Sequence, residues 1–180
     1  MVPPERTSGR VLLFSDCGVV PTPKPGQLVD IAASTVHTYQ AISKVTNDEA
    51  RVAFLSFSTK GSAKHAAAER MATVSADFHA RFPEILSDGE LQFDAAIDSE
   101  IGHKKCPDSP VAGNANCLIF PDLNAGNIAY KITQRLGGYT ACGPILQGLA
   151  RSYSDLSRGS TVDDIYLSAM IGILRARSES

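Results

Sequence analysis

Val52-Ala53-Phe54-Leu55-Ser56-Phe57, running straight into Ser58-Thr59-Lys60-Gly61-Ser62, is the stretch on which the fold turns. The first part reads as a buried strand and the second as a polar loop at its carboxyl end. Residues 63–81 then repeat apolar side chains at helical spacing, with Ala67, Met71, Val74 and Phe78 on the inner face and Pro83 as the stop. An unbroken apolar strand followed by a loop and an amphipathic helix is the unit of a parallel sheet covered on both faces.

The same unit recurs on either side. Toward the amino end, Val11-Leu12-Leu13-Phe14 reads as a strand, and Pro21, Pro23 and Pro25 make a stiff connector. Residues 27–44 form a helix whose inner face is Leu28, Ile31, Ala32, Thr35, Val36, Tyr39 and Ile42. Toward the carboxyl end, Leu91-Gln92-Phe93 is a short strand candidate, residues 94–104 read as helical, and residues 105–110 form a loop. Cys117-Leu118-Ile119-Phe120 is a clear strand, with a loop over Pro121–Asn127. The helix behind it turns Ile128, Ile132 and Leu136 inward and stops at Gly137-Gly138. A further strand falls within 140–145, and a last helix spans 161–176. The expected fold is a layered α/β/α arrangement with a mainly parallel sheet over residues 11–180, behind a frayed tail at 1–10. The last helix has almost no polar face, so it is expected to pack against protein outside this chain.

Bulk properties narrow the function. At 180 residues the chain supports one core, and 43% hydrophobic with 20% charged residues is ordinary for a globular protein. A net charge of -2 supplies no basic field for nucleic acid. No apolar run reaches the roughly 18 residues of a membrane span, and the first residues have no signal-peptide core. A cytoplasmic location is expected. Cys17, Cys106, Cys117 and Cys142 have no metal-ligand spacing and read as free thiols, so no metal is expected.

Ligands of open α/β sheets bind at the carboxyl ends of the strands, where three polar loops fall. Ser58, Thr59, Lys60, Gly61 and Ser62 offer hydroxyls, an ammonium and backbone N–H groups to an anion, or else form a capping turn with Ser58 or Ser62 as the cap. Asn124, Gly126 and Asn127 lie in a turn that either caps a helix or hydrogen-bonds a ligand. In Asp155-Leu156-Ser157-Arg158-Gly159-Ser160-Thr161-Val162-Asp163-Asp164, Ser160 or Thr161 suits an N-cap and the aspartates suit the first turn. Arg158 adds a planar fork fitted to phosphate. His37, His65 and His79 read as surface or boundary residues.

Six segments occur in an order that resembles a known family. They are residues 53–64, Asp88-Gly89-Glu90-Leu91-Gln92-Phe93-Asp94-Ala95-Ala96, Ser109–Gly113, Ile119–Asn127, Gly143–Gly148 and Asp155–Gly159. The chain resembles the C-terminal half of phosphate acetyltransferase over roughly residues 11–175. The resemblance implies an α/β domain akin to part of the isocitrate and isopropylmalate dehydrogenase fold. It implies acetyl transfer between CoA and inorganic phosphate, giving acetyl phosphate, with no metal and with homodimers. CoA and acetyl-CoA would be substrates and not tightly bound cofactors.

By motif, Ser157 and Arg158 match the family's catalytic pair and Asp164 its proposed base. A free aspartate ionises about 4.6 units below a free thiol, a gap of about 6 kcal/mol that the site must narrow. The chain departs from the family in two places: Arg151-Ser152-Tyr153-Ser154 replaces the usual Lys-Pro-Val-Asn, and the last helix ends in Arg175-Ala176-Arg177. About as much chain again precedes the first strand in the family, so an incomplete site is expected here. An acetyl-CoA-sensing domain without turnover and a phosphate butyryltransferase are the alternatives.

Overall fold

Along the central strands, side chains alternate between two cores, as the two-residue period of a strand requires. The computed structural model of the chain describes residues 1–3, 10–156 and 158–178. Its elements are β1 (Leu13–Ser15), α1 (Pro25–Thr46), β2 (Arg51–Leu55), α2 (Ala66–Arg81), β3 (Leu86–Leu91), α3 (Phe93–Ile97), α4 (Ser99–Lys105), β4 (Cys117–Ile119), α5 (Leu123–Arg135), β5 (Ile145–Leu146), β6 (Tyr153–Ser154) and α6 (Val162–Ser178). Val52 and Phe54 of β2, with Cys117 and Ile119 of β4, face Leu28, Ala32, Val36 and Tyr39 of α1 and Met71, Val74 and Phe78 of α2. Ala53, Leu55 and Leu118 face the opposite core, with Leu91, Ala96, Val111, Phe120 and the α5 alanines Ala125 and Ala129.

Four strands form one sheet in the order β1-β4-β2-β3, and every pairing is parallel. The expected layered α/β fold with a parallel sheet is therefore present. The carboxyl ends of all four strands emerge along one edge. Behind the sheet, β5 and β6 pair antiparallel as a small arm. The arm is tied to α1 through Gln147, which accepts the Thr35 hydroxyl at 3.3 Å and donates to Thr38 at 3.0 Å. Helix α6 packs on α1, and its buried Arg175 donates to the Leu146 carbonyl at 2.9 Å.

The structure corrects several local expectations. The third strand spans Leu86–Leu91, and Phe93 opens a helix instead of closing a strand. Asp98 breaks the expected 94–104 helix in two, because its side chain accepts the N–H groups of Glu100 and Ile101 and caps α4. Helix α2 begins only at Ala66, and its inward alanine is Ala68 in place of Ala67. Thr140 makes an isolated bridge to Val2, and the short strand begins at Ile145. Of the expected 1–10 tail, residues 4–9 lie outside the described residues.

The largest correction concerns α5. Ile128, Ile132 and Leu136 point outward, at 58%, 53% and 85% exposure. The face toward the sheet is instead Ala125, Gly126 and Ala129. Helical spacing finds an apolar stripe but not its direction, and here small residues face in so that the helix can approach β1 closely.

At the opposite edge, Asp48 accepts Tyr39 Oη at 2.8 Å, Arg51 at 2.8 and 3.1 Å, and Asn116 at 3.2 Å. Burial opposes its ionisation, but the hydrogen bonds from Arg51, Tyr39 and Asn116 outweigh it and hold the carboxyl below its usual 3.8. A depressed folded-state value stabilises the fold above the unfolded value, and that contribution fades as pH falls through the folded one. Asp48→Asn is expected to lower stability at neutral pH and to flatten the loss of stability below about pH 4. Urea midpoints measured from pH 7 down to pH 2 check this; parallel curves for the two proteins would contradict it.

Candidate functional site

Parallel strands with helices behind them present two kinds of group on the carboxyl edge: loop side chains and helix N-termini. The edge is built in three parts.

The first lies between β1 and α1. Asp16 folds the loop onto itself, accepting the N–H groups of Gly18 and Val19 on one oxygen at 2.7 and 3.1 Å, and that of Val20 on the other at 2.7 Å. Helix α5 starts against this loop. Asp122 is its N-cap and accepts Ala125 N–H at 2.9 Å. Asn124, Gly126 and Asn127 therefore lie in the first turns of a helix and not in a loop. Asn127 donates from Nδ2 to the Cys17 carbonyl at 3.0 Å. Gly126 is buried, and a Cβ there would stand 2.1 Å from the Asp16 carbonyl oxygen. Asn124 is exposed. Burial, then the neighbouring Asp16, pushes the Cys17 thiol up to about 12. Cys106, Cys117 and Cys142 are also shifted upward, chiefly by burial. Thiols held in this way are poor nucleophiles near neutral pH.

The second part is the Ser58–Ser62 loop behind β2. Ser58 is fully buried and Thr59 nearly so, while Lys60, Gly61 and Ser62 are exposed. Neither Ser58 nor Ser62 caps α2. The cap is His65, whose Nδ1 accepts Ala67 N–H at 3.1 Å. The two serines instead close the loop: Ser62 Oγ accepts Thr59 N–H at 3.0 Å, and Ser58 Oγ accepts Ala63 N–H at 3.0 Å. The end of β3 runs beside it. Buried Glu90 accepts the Ser58 hydroxyl and Gly61 N–H, Asp88 pairs with the Lys60 ammonium, and Gln92 with Thr59. The sequence places Asp88, Glu90 and Gln92 in one of the six motifs but gives them no role at the site. The available signal was two carboxylates inside a segment that must be a strand to pair with β2, since a buried carboxylate needs partners nearby.

The third part is the segment before α6. Asp155 N–H donates to the Pro144 carbonyl at 2.9 Å, and Pro144 lies beside Gly18 of the first loop. This brings the segment to the β1 end of the edge. Thr161 and Asp164 form a reciprocal cap: Thr161 N–H donates to Asp164 Oδ2 at 2.8 Å, and Asp164 N–H to Thr161 Oγ1 at 3.2 Å. Arg158 is exposed in a turn, and Ser157 lies outside the described residues. The third part thus meets the first, whereas the Ser58–Ser62 loop stands apart from both. From β1 to β2, the strand that leads into that loop, is two strand spacings, roughly 10 Å. Among the described residues, no group of three or more His, Cys, Asp or Glu side chains could hold a metal ion. Among them, too, no helix is long and apolar enough to cross a membrane.

An α/β chain with three polar loops on one carboxyl edge defines a ligand-binding class of fold. Comparison with known proteins narrows it. The family profile described as Phosphate acetyl/butaryl transferase matches residues 1–173. The chain belongs to this transferase family. Phosphate acetyltransferase of Clostridium acetobutylicum is 47% identical over 168 residues, covering 93% of this chain and 49% of that protein. The Bacillus subtilis phosphate acetyltransferase is 46% identical over 164 residues, covering 91% and 50%. A crystal structure of a phosphotransacetylase from Streptococcus pyogenes superposes with a TM-score of 0.87 at 44% identity, covering 98% of this chain and 52% of that one. The chain spans about half the length of these relatives.

Gly126→Ala is expected to destabilise the fold by about 1–3 kcal/mol, the usual cost of overpacking, because the added methyl meets backbone that cannot swing away. Denaturant titration checks this, and an unchanged midpoint would show that α5 can shift off the Asp16 loop.

Proposed function

We propose that this chain forms one wall of a phosphate acetyltransferase active site, at which an acetyl group passes between CoA and inorganic phosphate. The observation that carries the reading is that, in a family member, the Ser58–Ser62 loop and the start of α5 follow parallel strands at their carboxyl edge, and the Asp155–Pro144 contact draws the segment before α6 toward the same edge. In the direction of acetyl-CoA formation, the CoA sulfur attacks the carbonyl carbon of acetyl phosphate. The carbon–oxygen bond to phosphate breaks, inorganic phosphate leaves, and the thiol proton passes to a base. Asp164 is that base. One of its oxygens is engaged by Thr161 N–H, and the other is left for the proton. Arg158 holds the phosphate and its developing charge through a bidentate contact. Ser157 hydrogen-bonds the reacting carbonyl oxygen. No step uses a metal ion.

CoA lies across the edge toward the Ser58–Ser62 loop. Lys60, Gly61 and Ser62 face it, while Ser58 and Thr59 act from beneath by holding the loop's shape. Gly126 and Asn127 contribute by seating the Asp16 loop against α5, with Asn124 at the rim. The chain matches about half of each relative, so the reading assigns it one wall of the cleft and takes the other wall from the half of those relatives that it does not match. The same reading includes a homodimer, for which the exposed Ile128-Ile132-Leu136 stripe is the supporting surface. It also includes a cytoplasmic setting, where four unpaired thiols persist.

CoA titrated into the purified chain by calorimetry, with an assay for CoA-dependent acetyl phosphate turnover, tests the reading. Binding is expected. Binding with no turnover even when the whole domain is present would favour an acyl-CoA-sensing role. In an enzyme containing the whole domain, Asp164→Asn is expected to lower kcat by about 10²–10⁴-fold, the range for loss of a general base, with little change in KM for CoA. The reverse pattern would make Asp164 a binding residue. Ile132→Asp is expected to shift the chain toward monomer in light scattering, and an unchanged mass would rule out the α5 stripe as the contact.

A further inference from the structure

Glu90 is 3% exposed, and its carboxylate faces the underside of the Ser58–Ser62 loop. Its Oε1 accepts the Ser58 hydroxyl at 2.8 Å and the Gly61 N–H at 2.7 Å. Its carbonyl oxygen accepts the Lys60 N–H at 3.0 Å. On either side, Asp88 holds the Lys60 ammonium, and Gln92 N–H donates to Thr59 Oγ1 at 2.9 Å. Lys60 and Gly61 both have positive φ, 48° and 77°. Backbone in this conformation gathers N–H groups into a concavity that receives anions. In this molecule the anion is supplied by the chain itself.

We infer that Glu90 is a positioning residue for ligand binding at the carboxyl edge. It is the internal hydrogen-bond acceptor around which the Ser58–Ser62 loop is folded. It therefore decides which groups of that loop a ligand meets. The Ser58 hydroxyl and the Lys60 and Gly61 N–H groups are already committed to Glu90. What remains outward is the rim, where Lys64 is exposed beside the Ser62 side chain and the Lys60 ammonium that Asp88 holds. A phosphorylated ligand meets the loop through that rim and not through the concavity beneath. Glu90 itself touches no ligand. The inference rests on the CoA reading above and extends it to a residue outside the loop.

Three variants test it by calorimetric titration with CoA, each verified as folded by circular dichroism at the titration temperature. In Glu90→Gln the amide oxygen accepts the same two donors, so affinity is expected to stay within about threefold of the parent. Glu90→Asp keeps the charge but is one methylene short of the loop, and affinity is expected to fall about tenfold, as for a lost hydrogen bond to a charged group. Ser58→Ala removes the partner from the loop side and is expected to weaken binding about threefold or more. Should Glu90→Asp fail to fold, Ser58→Ala decides. Parent-like affinity in both Glu90→Asp and Ser58→Ala overturns the inference while leaving CoA binding intact. Loss of affinity in Glu90→Gln with none in Glu90→Asp overturns it as well, since charge and not reach would then be the requirement. A parent chain that binds no CoA removes the CoA reading itself, and this inference with it.

Discussion

A parallel sheet buried on both faces leaves its edges as the only places where polar chemistry can be reached. That constraint organises this molecule. Val52 and Phe54 fill one core and Ala53 and Leu55 the other, so past Arg51 β2 has no side chain to spare for solvent. With every strand pointing the same way, the loops that follow them share one edge. Loops so placed carry N–H groups that sheet and helix leave unpaired, and each of the three parts contains an acidic acceptor that takes them up. Asp16 gathers those of Gly18, Val19 and Val20, Asp122 that of Ala125, Glu90 those of the Ser58–Ser62 loop, and Asp164 that of Thr161.

The acidic clamps bear on how an anionic substrate can be held. Much of the backbone capacity for anions is already in use by carboxylates of the chain. On the proposed reading, exposed side-chain cations of the rim, Arg158 at one end and Lys60, paired with Asp88, at the other, would be the groups that meet phosphate. Asp164 has a double position, as half of a helix cap and as the candidate base. A carboxylate engaged in this way is held at the first turn of α6.

Two apolar surfaces remain open, along α5 and along the outer face of α6, where Val162, Ile165, Tyr166, Met170 and Ile173 are exposed. Patches of this kind mark protein contacts. They fit a chain that spans about half of its relatives. The departure at Arg175 has a local explanation, since its guanidinium is buried and ties α6 to the β5 arm.

The amphipathic helices and the apolar strands were legible because periodicity is a local property. Of the expected inner face of α1, Leu28, Ala32, Thr35, Val36, Tyr39 and Ile42 are buried and Ile31 is half-buried. β3 was misplaced because Ser87, Asp88, Gly89 and Glu90 lack any apolar alternation. They form a strand only because β2 offers an unpaired neighbour. The direction of the α5 stripe was missed because local spacing carries no sign, and a closely packed helix prefers alanine and glycine toward the sheet. For the site, the sequence marked the loops on which a ligand-binding edge is built and, through six ordered motifs, their family.

What the sequence by itself determined is thus the class of fold and the Ser58–Ser62 loop, from patterns within a few residues, and the family, from six motifs in order; the expected Pro121–Asn127 loop is for the most part the start of α5. Tertiary structure alone decided that Ser58 and Thr59 face inward, that Glu90 lies beneath them, that Gly126 is pressed against Asp16, and that Asp164 closes a cap. Each of those outcomes depends on which strand lies beside which. The order β1-β4-β2-β3 is set by how the helices cover the two faces of the whole sheet, and no local stretch of sequence specifies it.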